Sequence, residues 1–463
     1  MNYTDGLAEF MGELALDDIP DHIRRLARVN IMDAVGVIIA GHAFLEHEQD
    51  DRLERYLDLL PPGDQATTLG FHRRASLQAA GFANGTLSEV LDWQDTTMSA
   101  RVHTGSGTVP AVMAIAEWRN STGVDMVRAM AVGYEVAARV GVAIQPSHWH
   151  KGFQATGTVG AIGAAAAAGS LMGFSPSQMS NVLGVAGYIL AISNGDGVFT
   201  GYNIKPVHGG MAAQAGIQAA LLVESGYEAG PLEGLEPRKH GFMNISSDDV
   251  RPEVLVDGLG STWQSSVCSQ KLYPVGLLII GPIQVTLDLM KKHGITAEKV
   301  DSVLVTSYPD TWKFVGRHYT TTESTYVDAH LSLPYSVAVT IADGEYGWQQ
   351  QSTKRIADPA VHELASRVTV DVDESMDDNY PNDWPARVEI TLKDGRKVSD
   401  RLDKVTGCPN RPMTDSELVE KFVGNIGGIV GQDRATAAED AFMALESLDS
   451  ARNLVKMLVP RAA

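Results

Sequence analysis

Lys205 lies in the stretch Gly201-Tyr202-Asn203-Ile204-Lys205-Pro206-Val207-His208-Gly209-Gly210, just ahead of a run of Ala, Gly and aliphatic residues ending near Glu224. The Lys-Pro step delivers an ammonium to the start of a small-residue helix that can bury itself. A lone buried ammonium must find an anion or lose its proton. An anionic ligand would satisfy it; an ordinary loop with the amine in water is the alternative. A second cluster runs from Asp92 through Asp95, Thr96, Thr97 and Arg101 to His103, before Pro110. Gly-rich turns there can aim backbone N–H groups at an anion, and His103 has the pKa range for proton transfer. An N-capping loop with a surface histidine would explain the same residues. A third, Lys271-Leu272-Tyr273-Pro274, offers a further cation and a helix start at Pro274 for a carboxylate, or else a hinge.

Other chemistries find less support. His148 and His150 flank Trp149 with no carboxylate beside them to complete a metal shell, and Cys268 and Cys408 are the only cysteines. No metal is expected. The chain has no Gly-x-Gly-x-x-Gly after a strand, no phosphate-binding Gly-x-x-x-x-Gly-Lys-Thr and no Gly-x-Ser-x-Gly elbow, so no organic cofactor is expected either.

The elements that would position these residues are mostly helical. Apolar spacing predicts helices over 19–40, ending near Gly41, and over 79–91, 109–118, 125–144, 159–172, 176–192 and 210–224. The first 13 residues have the spacing of an amphipathic helix. Beyond residue 268 the pattern changes. Segments 300–308 and 368–372 alternate as strands, and 386–398 reads as a hairpin around Asp394-Gly395, with helical pieces at 275–293 and 332–342. The tail from 414 to 459 is helical again. The expected architecture is a large all-helical domain (1–267), a smaller α+β lid (268–406) and C-terminal helices (407–463) returning to the helical domain.

Composition narrows the partners. At 463 residues, two domains are the natural prior, and 44% hydrophobic with 20% charged residues is ordinary for a globular protein. A formal charge of -20 argues against nucleic acid and against an anionic membrane surface. Few cysteines and an acidic N-terminus without the order of a signal peptide point to the cytoplasm. Residues 155–174 are uncharged but rich in Ala and Gly, which suits a buried soluble helix better than a membrane span.

Several motifs together resemble the MmgE/PrpD family across nearly the whole chain. They are Asp33, Asp92-Trp93-Gln94-Asp95-Thr96, His103, Gly133-Tyr134-Glu135-Val136, Gly152-Phe153-x-x-Thr156-Gly157-Thr158, Lys205-Pro206-x-His208, Leu232-Glu233-Gly234, Lys271-x-Tyr273-Pro274 and Gly407-x-Pro409. The resemblance implies a helical domain built from both chain ends, an inserted α+β lid, a homodimer, and catalysis without metal or organic cofactor. It implies a pocket of Asp92, Thr96, His103, Lys205 and Tyr335, with Lys271 at the lid edge; Gln154 and His208, within their motifs, are further substrate contacts. Gln154 and Gly276 stand where decarboxylase-like members carry histidines, and a glutamine cannot transfer a proton.

The resulting expectation is a lyase, of the dehydratase or decarboxylase type, acting on a small polycarboxylate or related carboxylic acid by proton transfer next to a carboxylate. His103 would be the acid/base, Asp92 would orient it, Thr96 would hydrogen-bond the substrate and Tyr335 would donate a second proton. Lys205 would hold the carboxylate or the enolate-like charge. An epimerase of a dicarboxylate and a catalytically degenerate carboxylate binder are the alternatives. His148 or His150 could replace the missing imidazoles.

Overall fold

Small residues decide how closely the helices approach. The computed structural model describes residues 2–459, and its centre is the helix Ala155–Leu171, whose Ala, Gly, Thr and Ser side chains are buried on every side. A helix apolar all round belongs inside a core. Around it pack Thr104–Arg119, Gly123–Ile144, Pro176–Ile189 and Val207–Glu224. At two crossings glycine is needed on both helices. A Cβ on Gly133 would lie 2.9 Å from the Gly163 carbonyl oxygen, and one on Gly163 would lie 2.8 Å from that of Gly133. Likewise a Cβ on Gly85 would meet the Gly209 carbonyl oxygen at 2.5 Å, and one on Gly209 would meet that of Gly85 at 2.5 Å. The second crossing holds Leu77–Val90 against Val207–Glu224 and sets the spacing of the candidate site at their ends.

The first long helix runs Asp21–His47 and does not end at Gly41 as expected. Gly41 is there because Leu87 packs against it: a Cβ would sit 2.3 Å from the Leu87 carbonyl oxygen. Pro110 also differs from expectation, lying inside Thr104–Arg119 while His103 occupies the N-cap. Among the described residues Asp21–His47 is the one helix long and apolar enough to cross a membrane, and 83% of its apolar window is buried inside the fold. A two-stranded ladder, Ala66–Thr68 with Arg73–Ala75, was not anticipated.

The later part of the chain carries a four-stranded mixed sheet in the order Val368–Val372, Val300–Ser307, Ala386–Leu392, Lys397–Leu402; the first pair is parallel and the others antiparallel. Ala386, Val388, Ile390 and Leu392 turn inward by strand alternation. A bulge between Val300 and Ser302 shifts that phase in the neighbouring strand, so Val300, Val303 and Val305 all face the core. Ile280–His293 and Leu333–Asp343 pack on the sheet. The chain is thus mainly helical with a smaller α+β part. The helix expected from Pro274 begins instead as a short turn at Leu277–Ile279 leading into Ile280–His293.

Asp415–Val430 opens with a reciprocal cap, in which the Thr414 N–H donates to the Glu417 carboxylate and the Glu417 N–H donates to the Thr414 hydroxyl. It packs on Asp21–His47, where Gly36 leaves room for the Phe422 ring.

The glycines make a paired prediction. Gly85→Ala gains helix propensity of at most about 1 kcal/mol, but its methyl strikes backbone rather than a movable side chain. The net cost should be about 1–3 kcal/mol of unfolding free energy. Gly428→Ala, in Asp415–Val430 with nothing within 4 Å of the added methyl, should stabilise by up to about 1 kcal/mol. Urea unfolding of both variants checks the opposite signs.

Candidate active site

Helix ends and loops converge on four buried charges. Glu89 is the sole charged residue of Leu77–Val90 and is fully buried. Asp92 follows one turn later, held at a left-handed φ of 49°. The Lys205 ammonium reaches both, at 2.8 Å from Asp92 Oδ1 and 3.3 Å from Glu89 Oε2. Lys271 comes from the far side, 3.1 Å from Asp92 Oδ1 and donating to the Asp92 backbone carbonyl at 2.7 Å. His208 Nε2 lies 2.8 Å from Glu89 Oε2, and the Ser106 hydroxyl donates to the other Glu89 oxygen. Lys205, Lys271, Glu89 and Asp92 are each no more than 4% exposed.

Burial would push both carboxyls up, but the surrounding cations outweigh it. His208 and Lys205 hold Glu89 below its ordinary range, and Lys205 and Lys271 hold Asp92 well below its own. For Lys205 burial acts downward, yet Asp92 and Glu89 leave its pKa raised. Lys271 differs: burial, aided by Lys205, leaves its pKa lowered despite Asp92.

The cleft beside this cluster has a volume of about 120 Å³ and lies between the helical part and the sheet-bearing part. Asp92, Thr96, His103, Gln154, Lys271 and Gly276 line its polar end. His103 Nδ1 lies 3.1 Å from the Asp95 carbonyl oxygen and 2.8 Å from Thr96 Oγ1. A carbonyl oxygen only accepts, so Nδ1 carries the hydrogen and Nε2 keeps its lone pair. Burial is the main cause that lowers the His103 pKa to about 4. A neutral imidazole with a free lone pair can act as a base.

The cluster differs from expectation in three respects. Asp92 pairs with the two lysines, and His103 is oriented by Asp95 and Thr96 instead. Lys205 and His208 line an adjoining cavity that shares Val198 with the cleft, so Lys271 is the lysine that the cleft itself presents. Tyr335 is fully buried and away from the cleft lining; its hydroxyl donates to the Gln350 carbonyl at 2.6 Å, and burial raises its pKa. A phenol so engaged has no proton to offer a cleft ligand.

The histidine questions also resolve geometrically. His148 is stacked on Phe153 with both ring nitrogens at polar partners, Ser246 O at 3.1 Å and Thr158 Oγ1 at 2.9 Å, and His150 is exposed. Neither lines the cleft. Gly276 does, and its N–H donates to the His330 carbonyl at 2.9 Å. His330 itself is 1% exposed, with its ring pKa lowered to about 3 by burial, and it feels the charges of Asp92, Lys205 and Lys271. Sequence reasoning missed Glu89 and His330. Glu89 was detectable as the lone charge in an otherwise uncharged helix; His330 sat two residues before the Ser332-Leu333-Pro334-Tyr335 motif and had no periodicity to mark it.

An oxygen of Glu89, one of Asp92 and a nitrogen of His103 lie within 4.8 Å of one another, a spacing that could surround a cation. Both carboxylates already hold the Lys205 ammonium, and Asp92 also holds Lys271, so a metal would have to displace covalently tethered nitrogen. The donor set fits ammonium groups better than a metal.

A half-buried imidazole beside paired buried lysines suits an enzyme that handles a carboxylic acid, and the proteins this chain is similar to make it a lyase-type enzyme. Residues 5–255 match the MmgE/PrpD N-terminal domain and residues 273–447 the MmgE/PrpD C-terminal domain. The chain is 25% identical to a cis-aconitate decarboxylase of Aspergillus terreus, over 98% of this chain and 95% of that protein. It is equally 25% identical to the cis-aconitate decarboxylase of Homo sapiens, over 98% and 94% of the two chains. A cis-aconitate decarboxylase-like protein of Aspergillus oryzae is 25% identical over 99% and 97%. The chain belongs to the MmgE/PrpD family.

Acid sensitivity follows from desolvated imidazoles, His148 and His330 buried and His103 half-buried. His103, His148 and His330 titrate at about 4, about 4 and about 3, below the ordinary 6.5, so an unfolded chain binds more protons between those values. Their contribution to stability is complete above pH 6.5 and is lost as pH falls toward 4. Asp95, raised by burial to about 6, acts oppositely and loses its contribution as pH rises through 6. With five lowered imidazoles, His42 and His72 among them, against the raised carboxyls of Asp95 and Asp33, the unfolding free energy at pH 5 should lie below that at pH 7 in urea titrations.

Proposed function

We propose that this enzyme is a cofactor-independent dehydratase or decarboxylase acting on a small polycarboxylate or related carboxylic acid by proton transfer at the carbon next to a carboxylate. The observation that carries the reading is the pairing, across one cleft, of a neutral imidazole with a free lone pair and the Lys271 ammonium. The cis-aconitate decarboxylases to which the chain is similar add to it.

In this reading Lys271 and the Thr96 hydroxyl receive the substrate carboxylate, with Lys205 adding positive charge from across Asp92. In dehydration, His103 Nε2 removes the proton and the electron pair moves into the carboxylate under the lysines; the pair then returns to form the carbon–carbon double bond as the hydroxyl on the next carbon takes the proton from His103 and leaves as water. In decarboxylation, the C–C bond breaks toward carbon dioxide, its electron pair stays on the carbon left behind, and that carbon takes a proton from solvent relayed through His103 Nε2. Gln154 would fix orientation by hydrogen bonding without moving a proton. The same reading has the enzyme in the cytoplasm as a homodimer. Exposed Ile192 and Ile204, which line the cavity beside Lys205, suit a second copy.

The test is a panel of carboxylic acids incubated with the full chain in deuterium oxide, with release of carbon dioxide, loss of water and product deuterium followed together. Carbon dioxide release with one deuterium incorporated at carbon is expected of a decarboxylase, and loss of water with no deuterium at carbon in the product of a dehydratase. His103→Gln should lower kcat at least about 100-fold. Normal turnover by that variant would remove His103 from the mechanism. Deuterium entering recovered, inverted substrate without cleavage would make the enzyme an epimerase.

A further inference from the structure

The polar end of the cleft carries little spare positive charge. Lys205 and Lys271 are matched by Glu89 and Asp92, and His103 and His330 are kept neutral by burial. Of the two lysines Lys271 is the one that lines the cleft, where with Thr96 it offers one place for a carboxylate.

Arg101 is the remaining cation on the cleft wall, and it is committed elsewhere. Its guanidinium lies 5.2 Å from the centre of the Trp149 ring and 3.8 Å from Asp310, reaching from the helical part to the sheet-bearing part. Asp310 also faces the Tyr380 hydroxyl and adds to an acidic rim, where burial, Asp310 and Asp378 together raise the Asp377 carboxyl. Between rim and charge cluster the wall is apolar: Met98, Leu277, Leu278, Phe314, Val315 and Leu331. Additional carboxylates on a ligand would meet either these side chains or the Asp310 carboxylate. A carboxylate desolvated without a partner is costly.

We infer that the substrate of this cleft presents one carboxylate to Lys271 and Thr96 and lodges an apolar body against the lid, with Asp310 holding Arg101 away from any second carboxylate. The inference rests on the reading of the cleft as a carboxylic-acid site and narrows its substrate class. It assigns Arg101 and Asp310 to specificity: the pair selects against polyanions, and freeing Arg101 would relax that selection.

Calorimetric titration of the full chain with phenylacetate, glutarate and propane-1,2,3-tricarboxylate tests it. Phenylacetate should bind at least about tenfold more tightly than the tricarboxylate, as expected for one matched charge against three. Asp310→Asn, which releases Arg101, should raise glutarate affinity at least about fivefold and leave phenylacetate unchanged. Tighter binding of the tricarboxylate than of phenylacetate would overturn the inference while upholding a carboxylic-acid site. An Asp310→Asn variant with unaltered glutarate affinity would overturn the role of Arg101. Failure of all three acids to bind would overturn the carboxylic-acid reading and the inference with it.

Discussion

Two lysines and two carboxylates removed from water are the constraint on which this structure rests. Each isolated ion would cost several kcal/mol to bury, and attraction offsets that cost only where geometry is close and the remaining donors and acceptors are satisfied. Asp92 shows how tightly that condition is met. One of its oxygens serves both ammoniums and its backbone carbonyl receives a further Lys271 hydrogen, at the expense of a left-handed backbone that few aspartates adopt. Glu89 is completed by Lys205, His208 and the Ser106 hydroxyl. Removing any one partner leaves its neighbour charged and desolvated, so the cluster is cooperative by necessity.

Cooperation requires that separate chain segments be held in register. The loop carrying Asp92 and the loop carrying Lys271 are stitched by reciprocal backbone hydrogen bonds between Thr96 and Ser269, at 2.8 and 2.9 Å. Beneath them Lys421, on a tail helix, donates to the carbonyls of Trp93 and Lys271 at 3.1 and 3.0 Å and pairs with Asp33 at 2.8 Å. Four distant stretches of sequence are thereby joined at one ammonium. Asp95 adds a second anchor, accepting from the Tyr134 hydroxyl at 2.6 Å and the Gly105 N–H at 2.9 Å, which places its own carbonyl under His103. The tail is therefore part of the framework of the site, though its residues lie more than 140 positions from those it supports.

Helices with strong periodicity, the Asp394-Gly395 hairpin and the mainly helical fold with an α+β part were legible in the sequence, because local spacing decides them. So were Asp92, Thr96, His103, Gln154 and Lys271 as neighbours on one cleft, through their motifs. Tertiary contacts governed what was not legible. Gly41 has the look of a helix stop, but the stop never comes because Leu87 needs the space, and no local pattern reports a neighbour 46 positions away. Tyr335 occupies a motif position, yet its hydroxyl is drawn to the Gln350 carbonyl, a partner set by how the sheet-bearing part packs. Glu89 and His330 matter only through what they face, and facing is not a property of spacing along the chain.

The two positions where the family resemblance implies histidines, Gln154 and Gly276, lie on the cleft surface and outside the charge cluster, and the physics explains that division. A change at Glu89, Asp92, Lys205 or Lys271 leaves an unpaired buried ion and threatens the fold itself. Gln154 and Gly276 line the cleft without pairing to any of those ions, so an imidazole can be exchanged there for an amide or for nothing at moderate cost to stability. At Gly276 an added Cβ would approach the His330 carbonyl to 3.0 Å and Asp92 Oδ2 to 3.8 Å, so a side chain at this position would press on the edge of the cluster. Glycine instead leaves that flank to Leu277 and Leu331. One framework of matched charges can thus serve different acids, because the residues that read the rest of the ligand are those whose loss the fold tolerates.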